Sequence, residues 1–377
     1  MFQNERPQFP KLRNDKPVLF SEEGVSEFHL GRMQINRPQN LNALNSECYI
    51  AIEEKLLQWS KAPNVAALVF EGSGDRAFCA GGDVKQLVQE CREQGIDIAR
   101  KFFTLEYFAD WMIHTYPKPI VAIADGITMG GGLGLINGSQ FRVVTERTQM
   151  AMPEVAIGLF PDVGATKFLS ALPNGFGLFL GLTGSRTSGF DALEVGLADY
   201  FIPTAAKRRF QADLMRLSWS DDSKANFHVL NDYLKHVAPT PPKGEGYQEY
   251  LLEAASLFQK SSLEEIEEAF LGARFRAPFL SEAQGRMKKA SPLAKAVFFY
   301  AYHKHQNLDW PAVLGAEWSL AIRFCEGTEF AEGVRAVLID KDHKPTWGPS
   351  PDKTQVEELF KPKTPNLLAE KFAKFSW

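Results

Sequence analysis

Arg76-Ala77-Phe78-Cys79-Ala80-Gly81-Gly82-Asp83-Val84-Lys85 leaves a β-type run and opens a helical pattern. Asp125-Gly126-Ile127-Thr128-Met129-Gly130-Gly131-Gly132-Leu133-Gly134 repeats that arrangement further along the chain. Glycine lets backbone amides approach a ligand with no side chain in the way. A helix N-terminus leaves its first amides unpaired and carries roughly half a unit of positive charge. Two such turns brought together would present two N–H groups to one carbonyl oxygen, which is an oxyanion hole. Taken alone, either turn also reads as a tight chain reversal. A third segment, Met152-Pro153-Glu154, is followed by Phe160-Pro161-Asp162-Val163-Gly164 and brings two acids.

Around these segments, short β-type runs alternate with helical patterns from Val18 to about Ile202. Strands are expected at Glu27–Ile35, Ala66–Glu71, Ile120–Ala124, Phe141–Thr145 and Gln149–Met152. Apolar residues recurring three and four apart predict helices at Ser46–Lys61, Val84–Cys91 and Ile98–His114. Such alternation predicts an α/β core with crossover connections. After Pro203 the chain turns charged and helical, broken at Ala238-Pro239-Thr240-Pro241-Pro242-Lys243-Gly244, where dense prolines predict a loop. Two further helical patterns follow, Pro292–Gln306 and Pro311–Cys325. The division expected is an N-terminal arm over 1–17, an α/β core over 18–205, a helical extension over 206–290 and a helical C-terminal region over 291–377.

The bulk composition narrows the function classes. Hydrophobic residues make up 45% and charged residues 23%, so a packed core is expected rather than disorder. With 42 basic and 46 acidic residues the formal charge is −4, which gives no reason to expect a nucleic-acid partner. Cys48, Cys79, Cys91 and Cys325 form no CxxC pair, which argues against a zinc site and points to a reducing, cytoplasmic compartment. No apolar run approaches the ~20 residues of a membrane span. The first residues, Met1-Phe2-Gln3-Asn4-Glu5-Arg6-Pro7, do not read as a secretion signal or transit peptide.

The three segments, in this order, resemble the crotonase superfamily of enoyl-CoA hydratases, isomerases and acyl-CoA hydrolases. Asn36-Arg37-Pro38-Gln39-Asn40-Leu41-Asn42-Ala43-Leu44 and Glu326-Gly327-Thr328-Glu329-Phe330-Ala331-Glu332-Gly333-Val334-Arg335-Ala336 resemble two more of its signatures. The resemblance covers about 18–205 and 291–350. It implies a spiral of ββα units with C-terminal helices, an acyl-CoA substrate, no separate cofactor or metal, and a trimer or hexamer. It assigns the amides of Gly82 and Gly131 to the oxyanion hole, and Lys85 and Arg37 to CoA. For either cation the plainer alternative is a solvated surface charge.

Within that superfamily the acids choose the reaction. A hydratase of this kind carries two glutamates, one just after the glycine triplet and one in the Pro-Glu segment. Here the first position is Gly134 and the second is Glu154. Adding water to a C=C bond needs both a proton acceptor and a proton donor, so this chain should be a poor hydratase. Glu106, the triple-glycine turn, Glu154 and Asp162 together resemble the 3-hydroxyisobutyryl-CoA hydrolases of valine breakdown. That resemblance implies thioester hydrolysis, with Glu154 as base or nucleophile. Asp162 and Glu106 would orient the substrate hydroxyl or the water and tune Glu154. Asp162 also reads as an N-cap for a helix near Val163, and Glu106 as an ordinary exposed helical acid. The extension over 206–290 is expected to lie over the site or over an interface.

Other classes fit less well. Gly132-Leu133-Gly134-Leu135-Ile136-Asn137-Gly138 misses the dinucleotide pattern by one residue. No P-loop or GxSxG elbow is present. His303 and His305, two apart in a helical pattern, would face different ways. A crotonase-like scaffold that binds acyl-CoA or a partner without turnover would have no need of the acids.

Overall fold

A computed structural model describes residues 16–361 and 363–377. The arm expected over 1–17 therefore lies, up to residue 15, outside the described residues. The chain enters through β1 (Val18–Glu23) and β2 (His29–Ile35), paired antiparallel. Asn45 caps α1 (Ser46–Lys61) by accepting the Cys48 amide at 3.1 Å. Three strand pairs then follow one another: β3 (Val65–Gly72) with β4 (Ala77–Cys79), β5 (Ile120–Ala124) with β6 (Ile127–Met129), and β7 (Phe141–Val144) with β8 (Gln149–Ala151).

Each pair sends its first strand to one sheet and its second to another. The large sheet runs β1-β2-β3-β5-β7 and ends on β10 (Tyr200–Phe201). The small sheet runs β4-β6-β8 and ends on β9 (Thr187–Ser188). Successive pairs are parallel within each sheet, so the chain climbs as a spiral of ββα turns. The connections are α2 (Val84–Gln94) and α3 (Asp97–His114) after the first pair, and α4 (Gly131–Gly138) after the second. The small strands therefore deliver the ends of β4 and β6 side by side, directly ahead of α2 and α4.

Strands and helices fall where the hydrophobic period places them, with ends shifted by a residue or three. The Glu27–Ile35 run pairs only from His29, and Val84–Cys91 continues to Gln94. The main apolar cluster lies between the sheets and α1, α3 and α4. A second fills the outer face of the large sheet, where Leu30, Val69, Val121 and Val143 meet Phe210, Leu214, Leu230 and Leu234. The first two helices after Pro203, Lys207–Leu214 and Ser223–Val237, thus cover that face. The later ones wrap Phe179 with Tyr250, Phe258 and Phe270.

The C-terminal helices close over α3. Two of the C-terminal helices are α5 (Pro292–Lys304) and α6 (Trp310–Glu326). Trp318 of α6 is fully buried and donates its indole N–H to Thr104 Oγ1 of α3 at 2.9 Å. Phe372 and Phe375 pack on Phe108 and Trp111 from the same side. Among the described residues no helix is long and apolar enough to cross a membrane. Because Trp318 fixes α6 to α3, Trp318→Ala should cost about 3–5 kcal/mol, read as a lowered midpoint of urea unfolding. An unchanged midpoint would show that α6 is not held there.

Candidate active site

The Gly81-Gly82 turn is pinned by backbone hydrogen bonds from Leu44 N to Gly81 O (2.9 Å) and from Asp83 N to Leu44 O (2.7 Å). Asp83 caps α2 through the Gln86 amide and pairs with Arg37 Nη2 at 2.9 Å. Arg37 also donates to Ala43 O at 2.6 Å, so it clamps the 37–44 loop onto this turn. Gly130 takes φ 50 and ψ −124, a conformation open essentially to glycine, and starts α4 with Gly131 at its first position. The two turns abut: a Cβ built on Gly131 would stand 3.4 Å from Gly82 N. Among the described residues neither the Gly82 nor the Gly131 amide donates a hydrogen bond. The two amides assigned to one oxyanion hole do lie together.

Acids press on this turn from several elements. A Cβ on Gly130 would lie 2.8 Å from Glu154 Oε1, and one on Gly131 would lie 2.5 Å from Glu106 Oε1 and 2.8 Å from Tyr49 Oη. Glu154 opens a 3-10 turn after Pro153 and is 6% exposed, with Oε2 buried and unpartnered among the described residues. Glu106 is 3% exposed, so it is not a surface acid of its helix. Burial turns it inward, where Tyr49 donates its hydroxyl to Oε1 at 2.5 Å.

Asp162 is also buried, and Tyr107 donates to its Oδ2 at 2.6 Å. It is no helix cap. The chain turns through Val163 at φ 53 and Gly164 at φ 84, and the helical turn Ala165–Phe168 begins only after them. A left-handed conformation at a β-branched residue is strained. The free amides at that helix start go instead to Glu317 of α6, which accepts Gly164 N at 2.6 Å, Thr166 N at 3.2 Å and Thr166 Oγ1 at 2.5 Å. His305 Nδ1 lies 2.9 Å from the same hydroxyl, while the His303 ring meets Phe299. The two histidines face apart.

The electrostatics follow from crowding. Burial, then the charges of Asp162 and Glu106, hold Glu154 well above the usual carboxylate range. Glu106 is raised by burial and by Asp162, against the hydrogen bond from Tyr49. Burial pushes Asp162 up to about 6, with the Tyr107 hydroxyl opposing. Glu317 is pushed up to about 8 by burial, against the hydrogen bonds from Thr166 and Gly164.

The expected site residues separate into two groups. Gly82, Gly131, Glu106, Glu154 and Asp162 converge, whereas Lys85 is exposed on the first turn of α2 and Arg37 is half-buried in its ion pair with Asp83. Sequence reasoning missed Tyr49, Tyr107, Glu317 and Asp110. The usable signals were an acid among the apolar residues of α6 and a second acid four residues after Glu106. Tyr49 and Tyr107 were indistinguishable from ordinary core aromatics.

A family model described as enoyl-CoA hydratase/isomerase matches residues 30–360. A Danio rerio protein named "3-hydroxyisobutyryl-CoA hydrolase, mitochondrial" is 37% identical over 95% of this chain and 91% of its own length. A Gallus gallus protein of the same name is 36% identical over 92% and 89%. Among solved structures, one titled as an enoyl-CoA hydratase from Rhodobacter sphaeroides superposes with a TM-score of 0.80 and 33% identity. It covers 91% of this chain and 97% of its own.

A buried acid with a raised folded-state pKa contributes stability that is fully present below its unfolded pKa and is lost as pH rises through its folded pKa. For Glu317 that window runs from about 4.3, the ordinary glutamate value, to about 8. Glu317→Gln, which mimics the protonated form, should therefore flatten the fall in unfolding free energy between pH 5 and 8. An unchanged slope would show that Glu317 does not titrate in that window.

Proposed function

Because this chain belongs to the enoyl-CoA hydratase/isomerase family, we propose that its buried acids act on an acyl-CoA, hydrolysing 3-hydroxyisobutyryl-CoA to 3-hydroxyisobutyrate and CoA. The observation that carries this reading is the pairing of two uncommitted amides, Gly82 and Gly131, with an unpartnered buried carboxyl, Glu154. The relatives' names support the substrate. The thioester oxygen would sit between the two amides, where losing one donor costs about 10² to 10³ in rate.

Glu154 then acts on the carbonyl carbon. As a base it takes a proton from water, whose oxygen bonds to that carbon. As a nucleophile it forms an anhydride that water opens. In both routes the C–S bond breaks, the sulfur leaves as the CoA thiolate and picks up a proton, and Glu154 must start ionised. Glu106 and Asp162 each already accept a tyrosine hydroxyl, and their charges raise Glu154 toward neutrality, where a base is most effective. By the family resemblance, Arg37 and Lys85 would contact CoA.

The hydratase alternative lacks its second glutamate, since that place is Gly134. A scaffold without turnover would not retain unpartnered acids at a desolvation cost. The four cysteines are free and suit a reducing compartment; a cytoplasmic location is proposed on that basis, beside relatives named as mitochondrial. Valine breakdown and a homo-oligomeric assembly are proposed on family resemblance.

Glu154→Gln, with its fold retained, should lose about 10³-fold in thiol release from 3-hydroxyisobutyryl-CoA; wild-type turnover would sink the assignment. The unmodified protein should lose kcat/KM as pH falls through a value above the ordinary glutamate pKa, because the ionised form works. Asp162→Asn removes a repelling charge, so that limb should move to lower pH as turnover drops. A limb that stays in place would remove Asp162 from the tuning of Glu154.

A further inference from the structure

Helices α3 and α4 run side by side in one direction. Glu106 lies against Gly131, Asp110 against Gly134, and Ile113 against Gly138. Asp110 therefore stands one helical turn beyond Glu106 on the face that looks toward the oxyanion turn. It is 1% exposed, and neither carboxyl oxygen has a hydrogen-bond partner among the described residues. A Cβ on Gly134 would lie 2.8 Å from both oxygens, so this carboxyl occupies the space that a larger residue at 134 would fill.

A buried carboxyl with both oxygens unused is costly to keep. Glu106 and Asp162 have each accepted a tyrosine hydroxyl; Asp110 has accepted nothing. Burial, then Glu106, Asp162 and Glu317, hold its carboxyl well above the usual range. That shift favours the protonated form, which both gives and takes hydrogen bonds. Asp110 follows Glu106 by one helical turn, about 5.4 Å, so its carboxyl would lie toward the acyl chain of a bound thioester rather than at the carbonyl oxygen.

We infer that Asp110 is a specificity-determining residue, hydrogen-bonding the hydroxyl on the third acyl carbon. The assignment rests on the hydrolase reading above. It explains why the second position after the glycine triplet is Gly134: a side chain there would displace the Asp110 carboxyl. A site built to bond a hydroxyl rejects the analogue lacking it, because its own polar group is left unpaired.

Thiol release from 3-hydroxyisobutyryl-CoA and from isobutyryl-CoA, which lacks only the hydroxyl, gives that preference as a ratio of kcat/KM values. The unmodified protein should favour the hydroxyacyl thioester by about 10²-fold or more. Asp110→Leu should collapse the ratio to within about tenfold, whereas Asp110→Asn, which still gives and takes hydrogen bonds, should keep most of it. If the leucine variant does not fold, Gly134→Ala, which pushes the carboxyl aside, should collapse the ratio in the same way. An unmodified protein that cleaves both thioesters equally, or variants that slow both in proportion, would overturn the role of Asp110 alone. Cleavage of neither thioester by the unmodified protein would overturn the hydrolase reading, and this assignment with it.

Discussion

Four acids, Glu106, Asp110, Glu154 and Asp162, are each no more than 6% exposed around two adjacent glycine turns. Each is raised first by burial, and for all but Asp162 the charges of the others come next. A fold carries such a cluster only if something else holds it in place. Here the hydroxyls of Tyr49 and Tyr107 bond Glu106 and Asp162 and take up part of the charge. The remaining cost is a property of an active site, where groups must be free for a ligand rather than satisfied by the protein.

The spiral is what makes the cluster geometrically available. β4 and β6 end side by side, and each leads through a glycine turn into a helix. The glycines are required by close approach: side chains at 130, 131 or 134 would collide with Glu154, Glu106 or Asp110 respectively. Glu317 reaches across from α6 to hold the Asp162–Thr166 turn through its amides. The C-terminal helices therefore shape the site from behind as well as covering α3.

Much of this was legible in the sequence, and the missing part has a common cause. Ser46–Lys61 was readable to the residue because an apolar period of 3.6 begins directly after a capping asparagine. β4, β6 and β9 are two or three residues long, too short to show alternation, so the second sheet exists only through pairing between distant segments. Gly82, Gly131, Glu154 and Asp162 were found because they sit in ordered motifs. That Asp162 accepts Tyr107 rather than capping a helix depends on a partner 55 residues away. Tyr49, Asp110 and Glu317 lie on helices whose local pattern records burial but not what each side chain faces.

The measurement that bears most directly on this account is free-thiol release from 3-hydroxyisobutyryl-CoA by the purified protein, with hydration of crotonyl-CoA followed by absorbance in parallel. The crowded acids around the Gly82 and Gly131 amides, with glycine at 134, predict rapid thiol release and little hydration. Hydration without thiol release would contradict the account, and would mean that another acid of the cluster supplies the second group of a hydratase.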